Sequence, residues 1–198
     1  MKARCARRRI RLSDTCDVLD PSSSSMGVST MQTTLKDEFR DAMRRFAASV
    51  SVVTCCDEKV WYGMTATAVT SLCVDPPAVL ICVNRSNTFH PVLRKTSGFC
   101  VNILGTEHSE ISAAFSRKTS NPLDKFATGK WRTSRSGLPY LADCQSTLFC
   151  TVASVFSYGT HDIFVGSCDA ILNANASAPV APLVYANGRY ASVTDLPT

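Results

Sequence analysis

Apolar and polar positions along the chain change period several times, and each change marks an element. Leu35, Phe39, Met43 and Phe46 recur at helical spacing. Thr34 fits an N-cap and Asp37 and Glu38 fall in the first turn, so a helix is predicted whose stripe packs into the core. β-Branched residues then crowd "ASVSVVTC" and "VWYGMTATAVTSL" around the turn-like "CDEK", the pattern of a β-hairpin. "PAVLICV" and "GFCVNIL" predict two further strands. Between them "RSNTFHPVLRKTSG" reads as a loop, a short helix with Pro91 in its first turn, and a Gly exit. "EHSEISAAFSRK" predicts another helix with Ile111, Ala114 and Phe115 on one side. "STLFCTVASVFSYG" and "HDIFVGSCDAIL" form two long strands around a tight turn, followed by "APLVYANGRYASV". Strands at short intervals with few helices between them favour a mainly β, antiparallel barrel over βαβ units.

Composition adds a boundary. The 198 residues suit one domain that buries its own core, with 45% hydrophobic and 19% charged residues. The net charge of +5 is concentrated: Lys2, Arg4, Arg7, Arg8, Arg9 and Arg11 give +6 at one end, and the rest of the chain sums to −1. Residues 1–30, basic and then Ser-rich, are therefore expected to be a disordered tail, with the domain over 31–198. A near-neutral domain argues against a nucleic-acid partner. No apolar segment follows the basic run and stretches such as "AVLICV" are far too short to span a bilayer, so neither secretion nor a membrane is expected.

Ten cysteines without C-x-x-C spacing fit a reduced, cytoplasmic protein better than a disulfide framework. Cys82, Cys100, Cys150 and Cys168 lie among Val, Ile, Leu and Phe, as small buried hydrophobes do, and Cys55 and Cys56 point to opposite sides of one strand. No metal site is expected, because the three histidines and the cysteines do not cluster. Glycines nowhere fall in G-x-G-x-x-G or Walker spacing, and neither a G-x-S-x-G elbow nor H-E-x-x-H occurs. Hydrolases and metalloenzymes are thereby disfavoured.

One strand is chemically unusual. In "YGMTATAVTSLCVDPP", alternation puts Thr65, Thr67, Val69 and Ser71 on one face and Met64, Ala66, Ala68, Thr70 and Leu72 on the other, with Thr70 assigned to packing. Small residues let a flat ligand approach the backbone, and hydroxyls can donate to phosphate or carbonyl oxygens. The following loop supplies Arg85, Ser86, Asn87 and Thr88. Threonine and serine also have good strand and turn chemistry, so these two segments alone leave a purely structural reading open.

The ordered set "RRFAASVSVVTC", "YGMTATAVTSLCVDPPAVLICVNRSNTFHPVLRKTSGFCVNIL", "DKFATGKW", "SGLPYL", "GTHDIFVG" and "PLVYANGRY" resembles the short-chain flavin reductases of two-component monooxygenases, from about Leu35 to Val193. The resemblance implies an antiparallel Greek-key FMN-binding split barrel with a few short helices, normally a homodimer. It implies oxidation of NADH or NADPH with reduction of FMN or FAD, and a partner oxygenase or halogenase that takes the reduced flavin. A non-catalytic flavin-binding barrel is the alternative.

Carried over motif by motif, the resemblance assigns flavin binding to Thr65, Ala66, Thr67, Ser86, Asn87 and Thr88. "FCVN" adds Cys100, Val101 and Asn102, and the helix end adds Ser116 and Arg117. His161, in the motif that reads G-D-H in the family, is the expected catalytic contact near the nicotinamide, with Thr160 standing where the family often has Asp. Arg189 and Tyr190 match the family ending and complete the cofactor set, while Asn187 replaces a frequent Arg.

Overall fold

A computed structural model of the protein describes residues 34–174, 181–194 and 196. The tail expected over residues 1–30 lies outside them. In chain order the elements are α1 (Leu35–Met43), β1 (Ala48–Ser49), β2 (Ser51–Asp57), β3 (Val60–Ala66), β4 (Val69–Val74), β5 (Pro77–Asn84), α2 (His90–Leu93) and β6 (Gly98–Ile103). A short 3-10 turn then leads into α3 (Ser109–Ser116), and a second one covers Pro122–Ala127. The remainder is β7 (Trp131–Thr133), β8 (Pro139–Leu141), β9 (Ser146–Tyr158), β10 (His161–Asn173), β11 (Val184–Ala186) and β12 (Arg189–Ala191).

Seven strands form one antiparallel sheet in the order β3-β2-β6-β9-β10-β5-β4. Its two edge strands are consecutive in sequence, with only Thr67 and Ala68 between them. A flat sheet of this size would hold its edges about 29 Å apart, whereas three Cα–Cα steps reach about 11 Å, so the sheet curls until its edges meet at that corner. The edges meet without pairing along their length, which is the split barrel. The predicted hairpins and short helices are present, with the β9–β10 hairpin carrying thirteen-residue strands on each side.

Alternation in the central strands feeds two cores. Val53, Ile81, Val83, Phe99, Val101 and Phe164 fill the barrel interior. Val52, Leu104, Ile111, Phe115, Leu141 and Leu183 pack on the outer side, between the sheet, α3, β8 and the C-terminal strands. Neighbouring Val52 and Val53 are both fully buried because β2 is covered on both faces. Gly166 is required inside: a Cβ there would collide with the Phe99 ring.

Two expectations fail. The α1 stripe is not core: Leu35, Phe39 and Phe46 are 82%, 61% and 69% exposed, and no α1 residue is buried. Helical periodicity reports amphipathicity but not what covers the apolar face. Nor does "YGMTATAVTSL" run as one strand, because the chain bends at Thr67–Ala68 and the alternation restarts. Thr70 consequently pairs beside Leu80 and is exposed rather than packed.

Candidate active site

At the closing corner the end of β3 meets α3 and β12. Thr65 donates its hydroxyl to the Ser112 carbonyl at 2.6 Å, and Tyr190 donates to the Ser112 Oγ at 2.8 Å. Ser112 is fully buried, so one helical residue ties two of the expected site residues together. Ala66 turns inward and is 6% exposed, while Thr67 at the bend is exposed. Thr65 and Thr67 thus differ: the first has its hydroxyl engaged, the second presents its own to solvent.

The rim continues through the sheet register. Ala68 accepts from the Cys82 amide at 3.0 Å, and two residues on, Asn84 lies opposite His161. There the ladder ends and the loop after β5 meets the turn between β9 and β10. The Arg85 amide donates to the Thr160 carbonyl at 3.0 Å, and the Arg85 guanidinium donates to the Gly159 carbonyl. Asn84 Oδ1 accepts from both the amide and the hydroxyl of Ser86, each at 2.9 Å. Asn87 Oδ1 accepts from the Phe89 amide at 2.9 Å, an Asx turn that opens α2. Thr88 is exposed on this loop. His161 is exposed too, with Nδ1 2.9 Å from the Thr160 hydroxyl. Threonine at 160 therefore gives the ring a polar neighbour in place of the carboxylate.

Beneath this turn lies a buried polar group that the motifs did not single out. Asp162 is 2% exposed, and its carboxylate accepts from His90 Nε2 at 2.8 Å and from Ser157 Oγ at 2.7 Å, with Arg94 3.7 Å away. The hydrogen bond from His90, then that from Ser157, holds the carboxyl below its ordinary pKa against the opposing effect of burial. Parity carried the signal: Asp162 shares the inward face of β10 with Phe164 and Gly166. Ser112 gave no such signal, because its role depends on two residues distant in sequence.

Other expected residues are placed elsewhere. Cys100, Val101 and Asn102 are fully buried, so their side chains offer a surface ligand nothing. Asn102 Nδ2 donates to the Val52 carbonyl at 3.0 Å and Oδ1 accepts from the Leu141 amide at 2.8 Å, an internal bracket between β2 and β8. Burial pushes the Cys100 thiol pKa up and that of Cys55 up to about 12, which keeps both protonated and inert. Ser116 and Arg117 are exposed at the C-terminal end of α3. That helix runs away from the corner: Ser112 meets Thr65, whereas Lys125 joins the carbonyls of Phe115 and Gly63, further back along β3. Arg189 is exposed on β12, just after a turn in which Asn187 and Gly188 have φ of +50° and +75°. Asparagine at 187 thus suits the turn itself.

A cavity of about 1040 Å³, lined by Lys95, Gly98, Tyr140, Phe149 and Cys150 among others, shares no residue with this rim. Among the described residues, no cluster of His, Cys, Asp or Glu could hold a metal ion, and no helix is long and apolar enough to cross a membrane.

With this geometry in hand, likeness to known proteins is decisive. Residues 43–194 match the family described as flavin reductase like domain. The chain belongs to the flavin reductase family. It is 36% identical over 158 residues to the reductase component of an FADH(2)-dependent resorcinol hydroxylase from a Rhizobium species, covering 79% of this chain and 86% of that one. It is 35% identical over 163 residues to the FMN reductase (NADH) RutF of Variovorax paradoxus, covering 82% and 88%. The structure of the NADH:FAD oxidoreductase SgcE6 from Streptomyces globisporus C-1027 superposes with a TM-score of 0.74 at 27% identity, over 82% of this chain and 96% of that one. The reductase fold inferred from the ordered motifs is thus the observed one.

Proposed function

We propose that the protein is an NAD(P)H:flavin oxidoreductase that reduces FMN or FAD and passes the reduced flavin to a separate oxygenase or halogenase component. Family membership supports the reaction class. The observation that carries the site is the meeting, on one rim, of the Thr65–Thr67 corner, the Arg85–Thr88 loop and the Gly159–His161 turn. The exposed side chains there fit a phosphorylated planar ligand: hydroxyls at Thr67 and Thr88 for phosphate and carbonyl oxygens, and Arg85 and Arg189 for negative charge.

The bound flavin supplies the electron sink for a hydride from the nicotinamide. The chain contributes binding and orientation. Thr67 and the Arg85–Thr88 loop hold the flavin, while the exposed His161 ring, kept in place through Thr160, and Arg189 orient the nicotinamide dinucleotide. Tyr190 fixes β12 to α3 through Ser112, which places Arg189 beside the corner. Two further parts of the reading are a homodimer, supported by the uncovered α1 stripe, and a reducing cytoplasmic setting, supported by free thiols at every described cysteine.

Steady-state oxidation of NADH and NADPH against FMN, FAD and riboflavin tests the reaction, and anaerobic bleaching of flavin tests hydride transfer directly. Rapid bleaching is expected; binding of flavin without bleaching would replace this reading with a non-catalytic flavin-binding barrel. Replacing His161 by Ala is expected to slow reduction while leaving flavin affinity nearly intact, and unchanged kinetics would remove His161 from the site.

A further inference from the structure

The Asp162 carboxylate joins three elements. It stands on β10, accepts from Ser157 on the paired position of β9, and accepts from His90 on α2. A carboxylate only accepts, so His90 Nε2 carries the hydrogen in this bond. His90 also lies edge-on to Phe164, with ring centroids 5.9 Å apart, which leaves its ring little freedom to turn. The side chains of His90 and Asp162 are 12% and 3% exposed.

Such a pair is a poor choice for stability alone, since two well-packed apolar residues of similar volume do as well or better in a protein interior. What it adds is direction. Beyond Asn84 and His161 no strand pairing holds the loop after β5 against the β9–β10 turn. Their separation is set by the two bonds of Arg85 to Thr160 and Gly159 above, and by the His90–Asp162 bond below. Asp162 faces the barrel interior while its neighbour His161 faces outward, so its carboxylate acts on the rim only through what it holds.

We propose that Asp162 and His90 form a positioning pair that fixes the turn bearing His161 against the loop bearing Ser86, Asn87 and Thr88, setting the spacing between nicotinamide and flavin. This rests on the assignment of those two segments to the NAD(P)H and flavin sites. Displacement of a reacting group by about 1 Å can slow a reaction by about 100-fold, so a loosened turn is read in the hydride-transfer rate.

The test uses the full chain, with anaerobic flavin bleaching by NADH at saturating concentrations and circular dichroism to count folded protein. Asp162→Asn is expected to slow hydride transfer per folded molecule by about tenfold. The double variant with His161→Ala is expected to be no slower than His161→Ala alone, because both changes remove one placement. His90→Leu is expected to show the same loss, and His90→Gln, whose amide can still donate to the carboxylate, to recover most of it. If Asp162→Asn does not fold, the His90 pair of variants decides. A wild-type rate in Asp162→Asn, effects that multiply with His161→Ala, or no recovery by His90→Gln would each overturn the positioning role. If His161→Ala itself leaves the rate unchanged, the site assignment falls and the proposal with it; if only the Asp162 and His90 variants are without effect, the assignment stands.

Discussion

Thr65 donates its hydroxyl to the backbone carbonyl of Ser112 at 2.6 Å, and this bond separates the roles of two threonines that the sequence places in one motif. Thr65→Val keeps the shape of β3 but removes a partly buried hydrogen bond, so stability is expected to fall by about 1 kcal/mol. Thr67→Ala changes an exposed residue, and its stability is expected to stay within about 0.5 kcal/mol of the parent. Its flavin affinity, in contrast, is expected to weaken about fivefold through loss of one hydroxyl donor. Urea unfolding and flavin fluorescence titration read the two quantities. The opposite ranking, with Thr65→Val stable and poor at flavin binding, would return the Thr65 hydroxyl to the ligand.

Asn102 is engaged within the fold. Its amide satisfies the Val52 carbonyl on one side and the Leu141 amide on the other, in a fully buried position. Asn102→Leu has a similar volume but leaves the buried Leu141 amide without its partner, at a cost of about 1–3 kcal/mol, while the Val52 carbonyl keeps its place in the β2–β6 ladder. A destabilisation of about 1–3 kcal/mol by urea unfolding is expected, with flavin affinity of the folded fraction unchanged. Lost flavin binding at full stability would mean that Asn102 contacts the ligand.

Strand periodicity made most of the barrel legible. "PAVLICV", "GFCVNIL" and the long hairpin around Gly159 and Thr160 became β5, β6, β9 and β10 because their alternating residues have a core to fill. The bend at Thr67–Ala68 was not legible, since neither residue is a strong breaker and the break comes from the closure of the sheet. The α1 stripe was legible as amphipathic but not as uncovered. In the candidate site, exposed residues in loops, such as Thr88 and His161, could be proposed from motif order. The polar residues that hold them, Ser112, His90 and Asp162, could not, because each works through partners brought close only by the folded sheet. Asn102, expected at the flavin from the "FCVN" motif, has its side chain bound to the backbone on both sides, an engagement that depends on β2 and β8 and is not visible along the sequence.

Asp162 gives the fold a defined response to acid. Its carboxyl is held below the ordinary range by the His90 bond first and the Ser157 bond second. A group whose pKa is depressed by folding contributes stability that is complete above its unfolded value, about 3.9, and is lost as pH falls towards and through the lower folded value. The unfolding free energies of the parent and of Asp162→Asn should therefore differ by a constant amount from neutral pH down to about pH 5, then converge below about pH 4. Urea unfolding at a series of pH values measures the gap. A gap that stayed constant down to pH 2.5 would mean that Asp162 does not titrate below its unfolded value.

The uncovered stripe of α1 carries the argument for a second copy. An isolated helix shorter than about 12–15 residues is marginal in water, and α1 has nine residues, none of them buried. Its ion pairs, Arg40 with Asp37 at 3.0 Å and Arg44 with Asp41 at 3.6 Å, are exposed and stabilise a helix by only about 0.3–0.5 kcal/mol each. Within one chain, the Asn187 amide donates to the Arg44 carbonyl at 2.8 Å, just beyond the helix. Burial of Leu35, Phe39, Met43 and Phe46 against a partner would supply about 1.5–3 kcal/mol for each side chain fully covered, enough to hold the helix. Phe39→Glu separates the alternatives. On a monomer it is a surface change worth less than about 0.5 kcal/mol. In a dimer it buries an unpaired charge, and the dissociation constant should rise by more than about 100-fold. Sedimentation velocity over a concentration series is expected to show a dimer for the parent and a monomer for Phe39→Glu, with helical circular dichroism falling as the dimer separates. A parent chain that sediments as a monomer while α1 stays helical would show that this stripe needs no second copy.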